Sequence, residues 1–74
     1  MGTVQTIIRD VTHRGTSSYG NPTLTLHTDD GEYITQSNAG WSYAAMNSEW
    51  RGVPVTLHLS RYGRVRYATR DTDL

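Results

Sequence analysis

A chain of 74 residues with seven arginines, seven acids and no cysteine supports one small domain and excludes a disulfide framework, a thiolate metal site and a thiol nucleophile. No apolar run approaches the ~20 residues that cross a bilayer, so no membrane partner is expected and a cytoplasmic setting is the default. The formal charge of zero conceals an asymmetry: residues 1–50 hold two arginines against five acids, whereas residues 51–70 hold five arginines and no acid.

Taken in chain order, residues 3–13 mix Val4, Ile7, Ile8 and Val11 with polar and β-branched residues, which predicts a first strand. The adjacent Ile7 and Ile8 break alternation and predict a bulge or twist beside them. Gly2 and Thr6 also satisfy the short myristoylation pattern M-G-x-x-x-[ST], but the strand reading outweighs that match. "RGTSSYGNP", from Arg14 to Pro22, is loop by composition and the longest loop in the chain. "TLTLHT" then alternates with period two, Leu24 and Leu26 on one face and Thr25 and His27 on the other, which predicts a half-buried strand.

A three-residue turn Asp29, Asp30, Gly31 into "EYITQ" predicts Leu26 opposite Ile34 and His27 opposite an outward Tyr33. Between the two hairpins, Ser37 or Asn38 can cap a helix that Gly52 ends in the left-handed conformation. Tyr43, Met46 and Trp50, at i, i+3 and i+7, are its expected apolar stripe. Pro54 suits the start of the fourth strand. The last hairpin repeats the three-residue device with Arg61, Tyr62 and Gly63, which predicts Leu59 opposite Val65 and Leu57 opposite an inward Tyr67. The end of the chain, "RDTDL", is expected to fray.

Strand, strand, strand, short helix, strand, strand is the order of a mainly β, five-stranded OB-like barrel with its helix between strands 3 and 4; an SH3-like barrel is the near alternative. Residues 1–74 read as one domain. Closing five short strands would also solve the edge problem for a chain with little core.

On the expected register, the outward row of the last hairpin contains His58, Ser60, Arg64 and Arg66, with Arg61 and Tyr62 in its turn and Arg70 beyond. Arginines beside an aromatic can follow a phosphate backbone while the ring stacks on bases. The same row is also what any solvated hairpin face looks like once its arginines pair with Asp29, Asp30, Glu32 or Asp71. The histidines His13, His27 and His58 lack metal-ligand spacing, and no nucleophile-elbow pattern is present, so neither a metal, another cofactor nor an enzymatic activity is expected. Trp50 reads as a core plug. Trp41, nine residues earlier, falls on the other side of a continuous helix, where an exposed ring would make an interface anchor and a ring folded back would cover the open barrel end.

"GNPTLTLHTDDGEYIT" followed by "GVPVTLHLSRYGRVRYA" resembles small β-barrel proteins encoded by bacteriophages of actinobacteria, across residues 20–68. That resemblance implies an intracellular accessory protein of infection or lysogeny that binds a host protein, and carries over no site residue. The leading expectation is therefore a non-enzymatic interaction protein that contacts a protein partner through Trp41, Tyr43, Tyr19 and Tyr33, with self-association as a possible supplement to its small core. The alternative is a single-stranded nucleic-acid binder using Arg61, Arg64, Arg66, Arg70, His58 and Tyr62.

Overall fold

The computed structural model describes residues 2–71. Its strands are β1 (Gly2–Thr16), β2 (Pro22–Thr28), β3 (Gly31–Ile34), β4 (Pro54–Leu59) and β5 (Val65–Arg70), with a short helix α1 (Trp41–Ala45) and a 3₁₀ turn (Ser48–Trp50) between β3 and β4. The strands pair antiparallel in one open sheet, in the order β3-β2-β1-β4-β5. One core cluster gathers Ile8, Leu24, Leu26, Val55, Leu57, Val65 and Ala68 from the strands and is covered by Ala45 and Trp50.

β1 serves two partners in succession. Residues 2–7 pair with β4 and residues 8–16 pair with β2. The expected bulge lies between Ile8 and Asp10, with Arg9 as the extra residue. It resets the alternation: Thr6 and Ile8 are buried before it, and Val11 packs on the core after it. The following loop is shorter than its composition implies, because Gly15 and Thr16 stay paired with Thr23 and Pro22 across a second bulge at Arg14.

Both hairpins depart from the expected registers: Ile34 faces Thr25 and not Leu26, and Tyr67 faces His58 and not Leu57. Only Asp29 and Asp30 separate the paired Thr28 and Gly31, so Leu26 faces Tyr33 and His27 faces Glu32. Thr28 explains the tighter turn, since its hydroxyl donates to the Gly31 carbonyl at 2.7 Å and accepts from the Asp30 N–H at 3.1 Å. Tyr33 is thereby turned to pack, half-buried, against the core instead of standing outward beside His27. The β4–β5 turn keeps the expected three residues, with Ser60 N–H donating to the Arg64 carbonyl at 2.7 Å and Gly63 at φ +78°. Leu59 does face Val65. Beyond that pair Arg66 bulges out, and His58 faces Tyr67 while Leu57 faces Ala68. Tyr67, expected inward, is 41% exposed, and the small Ala68 takes the inward place. A tyrosine opposite fully buried Leu57 would carry its hydroxyl into an apolar core.

The segment from Ser37 to Gly52 is not one helix. α1 is flanked by Gly40 and Met46, so neither Ser37 nor Asn38 caps it as expected, and it has no side-chain cap. Asn47 then caps the 3₁₀ turn, its side chain accepting from the Glu49 N–H at 3.0 Å, and Gly52 ends the segment at φ +74° as expected. The break dissolves the stripe: Tyr43 and Met46 are 59% and 49% exposed, while Ser42, Ala45 and Trp50 are buried. It also brings Trp41 and Trp50 together edge to face, with ring centroids 5.3 Å apart, where a continuous helix would have separated them.

After β3 the chain crosses toward β5. Thr35 and Val65 form a single parallel bridge, and Gln36 N–H donates to the Val65 carbonyl at 2.8 Å. One bridge, not a ladder, spans the two edge strands. At the other end, Arg70 closes β5 and Asp71 accepts from the Thr56 hydroxyl at 2.8 Å, so neither is frayed; the remainder of the expected frayed tail, residues 72–74, lies outside the described residues.

Candidate nucleic-acid interface

Strand direction sorts the charges. β2 ends and β3 begins at the Asp29–Asp30 turn, and there β4 starts at Pro54 and β5 runs out to Asp71; these residues line one shallow groove. At the opposite end lie the loop between β1 and β2, residues 36–38 after β3, and the Arg61–Tyr62–Gly63 turn. Three of the five arginines of residues 51–70 thus gather at one end of the strands, and Asp29, Asp30 and Asp71 at the other.

An open cleft of about 460 Å³ occupies the arginine end, with Tyr19 on one wall and Arg61, Tyr62, Arg64 and Arg66 on the other. Residues 36–38 lie between them. The Tyr19 wall is held in place: Ser17 N–H donates to the Asn21 carbonyl at 2.8 Å, and both Ser17 Oγ (2.7 Å) and Asn21 Nδ2 (3.3 Å) donate to the Ser37 carbonyl. The Tyr43 hydroxyl donates to the Gly20 carbonyl and braces the loop from α1. With its backbone tied down, Tyr19 remains 70% exposed.

The opposite wall is equally ordered. Ser60 Oγ accepts from the N–H groups of Tyr62 and Arg64, both at 3.3 Å. Tyr62 is 76% exposed; the Arg61 guanidinium sits 5.1 Å from its ring centroid and donates to its hydroxyl at 3.0 Å. Among the described residues no carboxylate pairs with Arg61 or Arg64. Of the acids named above as possible partners, Asp29 pairs with Arg9 and Glu32 with His27 Nδ1, each at 2.9 Å, and Asp71 accepts from Thr56. Two planar rings and a set of guanidiniums across an open cleft can hold bases by stacking and a backbone by charge.

Of the residues expected for nucleic-acid contact, Arg61, Tyr62, Arg64 and Arg66 meet in the cleft. His58 lies beside it, stacked on Tyr67. Arg70 does not join them, because five residues of β5 carry it to the far end, where it sits 3.5 Å from Glu49 and 5.2 Å from the Trp50 ring. The protein-contact set is dispersed: Tyr33 and Trp41 are half-buried against the core, Tyr43 is exposed on α1, and Tyr19 belongs to the arginine cleft. Gln36, Ser37, Asn38 and Ser60 also line the cleft, and nothing in their local sequence marks them for it. Their place follows from the crossing of the chain from β3 to β5.

Comparison with protein-family models, curated proteins and solved structures finds no match to this chain.

Proposed function

We propose that this protein is an OB-like module that binds single-stranded nucleic acid in the cleft between Tyr19 and the Arg61–Arg66 turn. The reading of the fold is supported by a long β1 shared between two partners, a helix placed between β3 and β4, and the parallel Thr35–Val65 bridge between the edge strands. The observation that carries the function is the meeting of Tyr19 and Tyr62 with Arg61, Arg64 and Arg66, from two loops far apart in sequence, around one open cleft. Loops joining strands 1–2 and 4–5 are where such barrels take oligonucleotides. Fluorescence anisotropy with a labelled single-stranded oligonucleotide is the test. Micromolar binding that weakens with salt is expected, and Tyr62→Ala should weaken it by the worth of one base stack, about 1–3 kcal/mol. Absence of salt-sensitive binding at micromolar protein would overturn the proposal.

A second reading, contact with a host or phage protein, is favoured by a different observation. The Tyr43–Gly20 hydrogen bond sets exposed Tyr43 beside the Tyr19 loop, with exposed Met46 three residues along the chain from Tyr43. Such an aromatic and thioether surface suits a protein interface. Capture of a protein from host lysate that survives nuclease treatment and is lost on Tyr43→Ala supports this reading; capture that nuclease abolishes supports the first.

A further inference from the structure

The Arg66 bulge does more than shift a register. It leaves both Arg66 and Tyr67 on the outer side of β5, where Tyr67 lies flat against His58 of β4, the ring centroids 4.2 Å apart and the planes within 9°. Neither ring belongs to the core cluster, and Tyr67 is 41% exposed. Arg66 is common to three depressions: the main cleft, a hollow of about 240 Å³ bordered by Gln36, Asn38 and Tyr67, and a hollow of about 300 Å³ bordered by Thr3 and His58. Gln36 and Asn38 border both the cleft and the Tyr67 hollow, so the two run into each other across Arg66.

We infer that the His58–Tyr67 stack is a second base-stacking station, reached from the cleft across Arg66, so that a single strand continues over the outer face of the β4–β5 hairpin. The inference rests on the nucleic-acid reading above and extends it to a ligand longer than the cleft. A base laid on an existing two-ring stack meets a surface whose side chains are already ordered, and stacking tolerates any base because every base has a π-face. The Arg66 guanidinium lies over the Tyr67 ring, 5.9 Å from its centroid, so an incoming base takes its place on that ring while the charge stays beside the strand.

The test compares oligothymidylates of about 4 and about 12 nucleotides, within the span that one such barrel covers. Tyr67→Ala and His58→Ala are expected to weaken binding of the longer strand by roughly 5- to 150-fold, the size of one base–aromatic stack, and to leave the shorter strand within about twofold. Tyr67→Phe keeps the ring and should retain the affinity. If both alanine variants bind the longer strand as the parent does, the second station is wrong while the cleft stands. Equal weakening of both strands, accompanied by a lower Tm, identifies the stack as hairpin scaffolding and also overturns the inference. If the parent binds neither strand, both the cleft and its extension fall.

Discussion

Arg9 is the extra residue of the first bulge, and from there its Nε and Nη2 donate to the two carboxylate oxygens of Asp29, each at 2.9 Å. Hydrogen bonding from Arg9, aided by its charge, holds the Asp29 carboxyl below the ordinary 3.8, and the same pair raises Arg9. A carboxylate with a depressed folded value contributes stability that is present above its unfolded value and is lost as the pH falls through the folded one. Both groups are well exposed, so the contribution is small and salt screens it. Thermal melts of Asp29→Asn should therefore lie slightly below the parent at neutral pH. The gap should begin to narrow below pH 3.8, vanish at still lower pH, and shrink in high salt. A gap unchanged by acid would show that Asp29 acts through the turn backbone and not through Arg9.

Thr35 marks the place where one element hands over to another. It follows the last paired residue of β3 and is fully buried; its N–H donates to the Leu24 carbonyl and its hydroxyl accepts from the Leu24 N–H, each at 2.9 Å, before the chain crosses to Val65. Valine has almost the same shape but cannot accept that hydrogen bond. Thr35→Val should thus cost about 1–3 kcal/mol, the penalty of an orphaned buried donor, read as a lower urea midpoint with an unchanged slope. An unchanged midpoint would mean that the Leu24 N–H finds another acceptor. Such handovers are also where sequence reasoning stopped. Strand identities were legible because alternation, Pro22, Pro54 and the glycine turns are local signals, and the bulge beside Ile7 and Ile8 was legible for the same reason. The Arg66 bulge was not, since it is decided by what fits opposite buried Leu57 across the sheet. Nor was the broken helix, because the Asn47 cap competes with a stripe that looks continuous in one dimension. Of the candidate site, the arginine row and Tyr62 could be read directly; Tyr19 could not be joined to them without the hydrogen bonds that tie its loop to Ser37.

At the scale of the whole molecule, zero net charge is a poor guide to behaviour. The domain measures 32 × 26 × 22 Å, and its arginine cleft and aspartate turn lie at opposite ends of the strands. Even the shortest dimension exceeds two screening lengths at physiological salt, about 8 Å each. A ligand in the cleft therefore meets a locally basic surface, whatever the acids add to the total. Three arginines line that cleft. If each neutralises one phosphate of a single strand, the logarithm of the binding constant should fall with the logarithm of salt concentration at a slope of about −2, since each contact contributes about −0.7. Removing one contact with Arg64→Ala should flatten the slope to about −1.4, whereas Asp30→Asn, at the far turn, should leave it unchanged although it alters the net charge by one unit in the opposite direction. Salt titrations of oligonucleotide binding by the two variants separate a local electrostatic site from a net-charge effect: shifts of similar size and opposite sign, flatter for Arg64→Ala and steeper for Asp30→Asn, would assign the salt dependence to the total charge, and a shift confined to Arg64→Ala assigns it to the cleft.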